Sequence, residues 1–198
     1  MKLGLNIGSG QRPFTTTPEI EWINIDRVAH EGMPPPDLEW DGANLLYAAG
    51  VVDYFVLHHV LEHFGCGEGA GLIREAHRVL KPGGSLLIFV PDLRALAERW
   101  LAGGLTTQIY ATNLYGAYMG YEEDRHKWGF DGASLEEFLK ASAEWSEVKP
   151  FDWRPIPGTD IARDFWILGM ECVKGREQGS EIGDQGTEIR REQGPLGP

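Results

Sequence analysis

Residues 68–90, EGAGLIREAHRVLKPGGSLLIFV, carry the patterns of a helix, a turn and a strand in immediate succession. In the first part, apolar side chains recur at the spacing that places them on one face of an α-helix: Leu72, Ile73, Ala76, Val79 and Leu80. The Lys-Pro-Gly-Gly segment at 81–84 ends that helix. The apolar run 85–90 that follows has the length and content of a buried strand.

Other apolar runs lie on both sides of this unit. By length, apolar content and flanking turn residues they predict strands at 3–7, 22–26, 37–41, 53–59, 145–152 and 164–173. Helical patterns cover 93–103 and the stretch from Ser134, where Ser134 and Glu137 form a capping box. Strands that alternate with helices predict an α/β fold, with a largely parallel sheet and helices on both faces.

Composition restricts the class of protein. The 198 residues are enough for one buried core, and 42% hydrophobic and 24% charged residues are ordinary for a globular protein. The net charge of -12 disfavours a nucleic-acid partner, because phosphate backbones require a basic face. The two cysteines, Cys66 and Cys172, form no disulfide or zinc pattern. With no signal-like start and no long apolar run, we expect a cytoplasmic protein without a membrane span.

The chain divides into two parts at residue 173. Residues 1–173 carry all the predicted elements and form the predicted domain. Residues 174–198 repeat an imperfect Glu/Asp-Gln-Gly unit without any aromatic residue, a composition that predicts a disordered tail. The oligomeric state stays open between a monomer and a homodimer, with Trp100, Trp145 and Trp153 as candidate contacts.

The first predicted strand ends in a glycine turn, Gly8-Ser9-Gly10. Glycines here let the backbone approach a ligand closely. In a dinucleotide site a helix that holds pyrophosphate follows such a turn, but Pro13 and Pro18 prevent a regular helix here. The pattern therefore favours a ligand without phosphate.

Acidic residues end the next two predicted strands. Asp26 lies 18 residues after Gly8, close to the spacing of about 20 for a carboxylate that binds a ribose diol. Asp41 follows in WDGANL, where it can accept a hydrogen bond from an adenine amino group. Together they predict a nucleoside site, although each aspartate is also a common turn former at a strand end.

Five motifs in order carry a resemblance to a known family: LNIGSG (5–10), WINID (22–26), DLEWDGANL (37–45), VVDYFVLHHVLEHF (51–64) and RVLKPGGSLLIFVPDL (78–93). They resemble the class I S-adenosylmethionine-dependent methyltransferases, and most closely a small bacterial, type 11-like group often found near cell-envelope polysaccharide genes. The resemblance implies a Rossmann-like, seven-stranded sheet with an antiparallel last strand. It also implies methyl transfer from S-adenosylmethionine to a small molecule or a glycan precursor.

The same resemblance implies roles for residues at the strand ends. Gly8, Ser9 and Gly10 would line the methionine part of the cofactor, and Asp26 would bind the ribose hydroxyls. Asp41 and Gly42 would bind the adenine, and His58 would lie beneath the sulfonium. Asn6 departs from the acidic residue that many members carry in the first motif.

The stretch His59-x-x-Glu62-His63 also matches the inverted zinc-protease pattern H-x-x-E-H. That site requires both histidines on one helix, whereas His59 belongs to a strand end, and Gly65 and Gly67 interrupt any helix that follows. The sequence therefore predicts no metal site. The small-RNA 3′-end methyltransferases use a Glu-x-x-Glu-His metal motif at this place; a metal-assisted RNA methyltransferase stays as a minor alternative, since the acidic domain suits RNA poorly.

Three histidines are candidate general bases: His63 and His126, ranked ahead of His59. For each, a structural histidine is the plain alternative. The segment 106–134 has the position of a loop that covers the active site, and a set of its residues is predicted to shape an acceptor pocket: Tyr115, Tyr118, Tyr121, Arg125, His126 and Trp128. Arg125 and His126 suggest an anionic acceptor such as a sugar acid, whereas a core role is the alternative for the aromatic residues.

Two other functions remain as alternatives. One is a catalytically silent module that binds S-adenosylmethionine and serves a partner protein. The other is a nicotinamide-dependent oxidoreductase, which Pro13 and the missing third glycine of the dinucleotide motif weaken.

Overall fold

The computed structural model describes residues 1–27, 29, 34–40, 44–117 and 122–176. Within them the strands are β1 (Lys2–Ile7), β2 (Ile20–Asp26), β3 (Leu38–Glu39), β4 (Val52–His58), β5 (Leu80–Pro91), β6 (Trp145–Pro150) and β7 (Ile167–Lys174). The helices are α1 (Cys66–Val79), α2 (Leu93–Leu101), α3 (Thr107–Tyr115) and α4 (Gly132–Ser142), with 3₁₀ turns at Leu61–His63 and Glu122–Asp124. The structure confirms the predicted α/β class.

The strands form one sheet in the order β3-β2-β1-β4-β5-β7-β6. Neighbours from β3 to β5 are parallel, and β7 runs antiparallel to both β5 and β6. The seven-stranded sheet with an antiparallel last strand is therefore confirmed. Strand order reverses between β1 and β4, so the carboxyl ends of these two strands mark the expected ligand position.

The core lies on both faces of the sheet because successive strand residues point to opposite sides. On one face, Phe55 and Leu57 of β4 pack with Ile73 of α1 and Leu139 of α4. The other face has a smaller cluster, in which strand residues meet side chains of connecting segments: Phe14, Ile20, Trp22, Val56, Leu87, Phe89, Phe151 and Ile156. Both clusters hold β4, whose carboxyl end carries the candidate site, in a fixed position.

The Lys-Pro-Gly-Gly turn lies inside β5 as an irregularity in strand pairing. Leu80 pairs with Val52, and pairing with β4 resumes at Ser85, opposite Tyr54. Gly83 has φ +81°, which favours glycine. A Cβ on Gly84 would lie 3.0 to 3.1 Å from three backbone oxygens. The glycine pair thus lets the chain change register between helix α1 and the buried part of β5.

Three local predictions differ from the structure. Within the described residues 37–40, the strand predicted at 37–41 is limited to Leu38–Glu39, and a helix not predicted, Thr107–Tyr115, lies in the segment after α2. Helix α4 begins at Gly132, and its N-cap is Asp131 rather than Ser134. Asp131 accepts from the Ser134 backbone N–H at 2.9 Å, and Ser134 Oγ accepts from the Asp131 N–H at 3.0 Å. A carboxylate placed three residues earlier therefore caps this helix.

The tryptophans suggested as dimer contacts all pack within the chain. The Trp100 ring stacks on Tyr110 at 4.8 Å, which joins α2 to α3. Trp145 donates its indole N–H to the Leu139 carbonyl, and Trp153 lies against Phe89. No helix of the described ranges is long and apolar enough to cross a membrane. The predicted tail lies outside the described residues from residue 177 onward.

Candidate active site

The glycine turn has the backbone conformation that its residues allow. Gly8 has φ +64° and Gly10 has φ +43°, both in the left-handed region that favours glycine. A Cβ on Gly8 would lie 2.5 Å from Cγ2 of Val60, whereas a Cβ on Gly10 would meet no atom nearer than 3.8 Å. Gly8 is therefore required for packing against the end of β4. Gly10 leaves open space for a ligand beside the backbone.

Asp26 holds this turn from the neighbouring strand. The backbone N–H of Gly10 donates to Oδ2 of Asp26 at 2.6 Å, and the N–H of Arg27 donates to Oδ1 at 2.7 Å. The N–H of Ser9, which is buried, donates to the Ile25 carbonyl at 3.1 Å. The structure thus brings Gly8, Ser9, Gly10 and Asp26 together at the carboxyl ends of β1 and β2.

A pair of asparagines fixes the segment that replaces the missing helix. The side-chain amide of Asn6, buried in β1, donates to the Arg12 carbonyl at 3.1 Å and to Oδ1 of Asn24 at 2.9 Å. The same Oδ1 accepts from the Phe14 N–H at 2.7 Å, and Nδ2 of Asn24 donates to the Phe14 carbonyl at 3.0 Å. Asn6, the departure from the family pattern, therefore has a structural role here.

His58 ends β4 with its ring buried. The ring stands edge-on to Phe89 at 5.6 Å, and its Nε2 is buried without a hydrogen-bond partner among the described residues. Burial, followed by the nearby positive charges of His59 and Arg12, lowers the pKa of His58 to about 4. His58 is therefore neutral at physiological pH.

His59 leaves the strand in an unusual conformation. Its φ is +58°, a value that is uncommon for a residue with a side chain and that often marks functional sites. Its Nδ1 lies 3.1 Å from Oε1 of Glu62, and its ring stacks on Trp166 at 5.1 Å. A carboxylate oxygen only accepts, so Nδ1 carries the hydrogen and Nε2 is left as the acceptor in the neutral ring.

Glu62 is 1% exposed, and the sequence analysis did not select it as a site residue. Burial acts to raise the pKa of Glu62, but the hydrogen bond from His59 and the charges of His59 and His63 outweigh this, so the pKa lies below its ordinary value. Its second oxygen, Oε2, has no hydrogen-bond partner among the described residues. The side chain is thus a buried carboxylate with one oxygen unused by its neighbours.

His63 and His126 lie beside this carboxylate. Their rings meet edge-to-face at 4.9 Å, and one ligand atom from each of Glu62, His63 and His126 lies within 4.8 Å of the other two. Nδ1 of His63 is buried without a partner among the described residues. Nδ1 of His126 lies 2.8 Å from the Asn113 carbonyl, and burial lowers the pKa of His126.

Backbone hydrogen bonds bring these distant segments together. The N–H groups of Lys127 and Trp128 both donate to the Glu62 carbonyl, at 2.8 and 3.1 Å. The His126 N–H donates to the Tyr115 carbonyl at 3.0 Å. The described part of the segment after α3 is therefore fixed against the turn after β4.

Other predicted site residues lie apart from this cluster or outside the described residues. Asp41, Gly42, Tyr118 and Tyr121 fall outside them. Arg125 forms an exposed ion pair with Glu122 at 3.0 Å. The side chains of Tyr115 and Trp128 are largely exposed, at 67% and 49%.

Comparison with known proteins gives one family match. Residues 22–88 match the family model described as a methyltransferase domain, a range that runs from β2 into β5 and includes the turn after β4. No curated protein sequence matches the chain significantly.

Solved structures share the fold at low sequence identity. Human N-acetylserotonin methyltransferase in complex with S-adenosylmethionine aligns with a TM-score of 0.55 at 15% identity, over 87% of this chain and 47% of that one. The S-adenosylmethionine-dependent methyltransferase SibL aligns with a TM-score of 0.53 at 17% identity, over 88% and 51%. The 1,6-didemethyltoxoflavin-N1-methyltransferase of Burkholderia thailandensis, solved with S-adenosylhomocysteine, aligns with a TM-score of 0.50 at 16% identity, over 87% and 71%.

These findings confirm the predicted resemblance to class I S-adenosylmethionine-dependent methyltransferases and the predicted fold. The chain spans about half the length of two of the three structures just described.

Proposed function

We propose that the protein is an S-adenosylmethionine-dependent methyltransferase that acts on a small-molecule or glycan-precursor acceptor. The observation that carries the proposal is the glycine turn held by Asp26 at the point where strand order reverses, without a phosphate-binding helix. Such a site suits a nucleoside ligand that lacks phosphate. The methyltransferase-domain match and the similar structures support the same conclusion.

The described residues fit this cofactor. The open space beside Gly10 and the left-handed turn give a ligand access to backbone groups. Asp26 would bind the ribose hydroxyls while it holds the turn, and Gly8, Ser9 and Gly10 would line the methionine part. Asp41 and Gly42, outside the described residues, remain proposed adenine contacts.

The neutral state of His58 suits a cation beside it. S-adenosylmethionine supplies a methyl group on a positively charged sulfonium, whose carbon–sulfur bond breaks, leaving the electron pair on sulfur, as the acceptor bonds the methyl carbon. A charged imidazole at this position would repel the sulfonium, and burial prevents that charge. The unpartnered Nε2 of His58 is a polar atom that a ligand can satisfy.

Methyl transfer depends first on orientation, which can supply about 7 to 11 kcal/mol of the barrier. An acceptor hydroxyl must also lose its proton, and a general base accelerates that step by about 10² to 10⁴. All three predicted bases lie near the end of β4, but we propose His59 as the base ahead of His63 and His126. Glu62 orients the His59 ring through Nδ1, so that Nε2 can accept the proton.

The segment that joins α3 to α4 would cover the acceptor. It is tied to the turn after β4 through the Glu62 carbonyl, which makes it part of the pocket wall. Arg125 is paired with Glu122, so an acidic group lies beside the residue proposed to attract an anionic acceptor. We propose a cytoplasmic location, since Cys66 and Cys172 are both free thiols.

Thermal unfolding with S-adenosylhomocysteine and with NAD tests the cofactor. A true ligand at about a hundred times its dissociation constant adds about 2.7 kcal/mol, which raises the melting temperature by about 5 to 10 °C. We expect this rise with S-adenosylhomocysteine only; a rise with NAD only would refute the proposal. Release of S-adenosylhomocysteine in the presence of an acceptor panel then separates an enzyme from a silent binding module.

Catalysis by His59 has its own test. In a reaction with an accepted hydroxyl substrate, His59→Gln is expected to lower kcat by about 10² or more while the affinity for S-adenosylhomocysteine stays unchanged. His77→Gln is the matched control. His77 lies in the last turn of α1, and its ring bonds the Glu144 carbonyl. Unchanged kcat in His59→Gln would remove His59 from the mechanism.

A further inference from the structure

We propose that Glu62, His63 and His126 bind one divalent transition-metal ion. The first observation is their convergence: a single donor atom from each residue lies within 4.8 Å of the other two. Donors bound to one ion at about 2.0 to 2.2 Å stand at most about 4.4 Å apart. Shifts of about an ångström or less would therefore close the three donors around an ion.

The second observation is independent of that spacing. Oε2 of Glu62 and Nδ1 of His63 are both buried with no hydrogen-bond partner in the described part of the chain, and the Glu62 residue is 1% exposed. Buried polar atoms are rarely left unsatisfied, and each one requires an explanation such as an ion. An ion bound through Oε2 of Glu62 and Nδ1 of His63 would satisfy both atoms at once.

The third observation is the tautomer and ring orientation of His126. Its Nδ1 lies 2.8 Å from the Asn113 carbonyl. A carbonyl only accepts, so Nδ1 donates its hydrogen, and the lone pair of the neutral ring is on Nε2. Histidines that bind metals almost always donate their other ring N–H to a carbonyl or carboxylate, which fixes the ring orientation.

The neighbours of Glu62 support the same role. Oε1 accepts the hydrogen bond from His59, which leaves Oε2 for the ion. The Glu62 carbonyl accepts from Lys127 and Trp128, so the turn that carries Glu62 and His63 is tied to the segment that carries His126. The three donors are thus positioned by the backbone before any ion binds.

The donor set selects the class of ion. Two imidazoles and one carboxylate suit borderline ions such as Zn²⁺ and Co²⁺, whereas Ca²⁺ and Mg²⁺ prefer oxygen ligands. Three protein ligands leave positions open, as in catalytic rather than structural metal sites. The inference departs from the main sequence prediction, which assigned no metal ligands; a metal at this stretch was included only in the minor RNA-methyltransferase alternative.

This location extends the proposed function to a class of acceptor, and that extension rests on the proposed methyl transfer. Glu62 and His63 of the cluster lie in the turn after β4, beside His59 and the proposed methyl-transfer pocket. An oxygen of the acceptor would occupy an open position, and the ion would lower the pKa of its hydroxyl. The acceptor class is then a hydroxyl compound, and the hydroxyl proton passes to His59 as the oxygen bonds the methyl carbon.

Metal binding is tested on the full-length chain without an affinity tag, after removal of metals with a chelator and dialysis. Titration with Co²⁺, followed by its visible absorption, and competition with Zn²⁺ give the affinity, and elemental analysis gives the stoichiometry. We expect one ion per chain. His126→Gln and Glu62→Gln should each weaken binding by about 100-fold or more, because loss of even a residue that only supports a ligand costs about 10- to 100-fold.

The control is His77→Gln, whose histidine lies on α1 and bonds the Glu144 carbonyl. It should bind the metal like the parent chain. His63→Gln provides a second ligand variant if one of the others does not fold. The proposal would be overturned if the parent chain bound no Co²⁺ when Co²⁺ was present at 100 times the protein concentration. It would also be overturned if all ligand variants bound Co²⁺ as tightly as the parent chain.

Affinity for S-adenosylhomocysteine, measured on the same metal-free samples, separates the two proposals. Binding of S-adenosylhomocysteine without any metal binding would overturn the metal site alone. Metal binding without S-adenosylhomocysteine binding would support the metal site and overturn the proposed function.

Discussion

Acidification is expected to destabilise the protein through His58. Burial lowers the pKa of His58 in the folded chain to about 4, from an ordinary value of 6.5. Between these two values the unfolded chain binds a proton that the folded chain excludes. Stability therefore falls as the pH decreases through about 6.5 and stops falling, for this group, below about 4.

The size of the effect follows from the two pKa values. At pH 8 the contribution is close to zero. At pH 5 the titration of His58 lowers the free energy of unfolding by about 2 kcal/mol, and below pH 4 this decrease approaches about 3 kcal/mol. Each tenfold change in a protonation equilibrium is worth about 1.4 kcal/mol.

Urea denaturation at pH 8 and pH 5, with a chelator present, measures this loss. The His58→Asn variant removes the titrating group, so the decrease in its free energy of unfolding between pH 8 and pH 5 should be about 2 kcal/mol smaller than in the parent chain. Titrating groups that do not interact with His58 contribute equally to both proteins and cancel. An identical decrease in the two proteins would show that the folded chain accepts the proton on His58.

Three substitutions test the glycine turn and its supports, and a fourth, Gly67→Ala, is the control in helix α1. Gly8→Ala forces a side chain into a left-handed backbone conformation, which costs about 1 to 2 kcal/mol in addition to the overlap of its Cβ with Val60. It should abolish binding of S-adenosylhomocysteine. Gly67→Ala lies inside helix α1, where a Cβ meets no atom within 4 Å, and should stabilise the fold by about 0.5 to 1 kcal/mol. Asp26→Ala removes the acceptor of the Gly10 N–H and should weaken S-adenosylhomocysteine binding by about tenfold to a hundredfold in calorimetry. Asn24→Leu should lower the free energy of unfolding in urea by about 1 to 3 kcal/mol, because buried polar partners are left unsatisfied; an unchanged value would contradict the structural role of the asparagine pair.

Much of the fold could be predicted because its signals are local. The helix α1 pattern and the apolar run of β5 lie next to each other in the chain, and the strand-end positions of Gly8 and Asp26 follow from strand periodicity. The register change at Gly83 and Gly84 was harder to predict. Its cause is the need to pair both Leu80 and Ser85 with β4, which involves a partner strand that the local pattern does not specify.

The candidate site was predictable only in part, for a similar reason. His58 and His59 are adjacent and chemically identical, and strand alternation says only that they face opposite sides. The positive φ of His59 breaks that alternation and turns the ring toward Glu62. His126 was selected from its residue type and its place in the predicted covering segment. Its contact with His63 depends on hydrogen bonds to the Glu62 carbonyl from that distant segment.

Glu62 connects these parts of the site through different atoms. Its carbonyl fixes the segment of His126, one side-chain oxygen orients His59, and the other faces the proposed ion. Glu62→Gln keeps the carbonyl and the size of the side chain but removes the charge. It should therefore preserve the fold and S-adenosylhomocysteine binding while it weakens both metal binding and the orientation of His59. That combination would show that the Glu62 carboxylate has a functional role. If the carboxylate served only to hold the loop, its loss would leave the metal affinity unchanged.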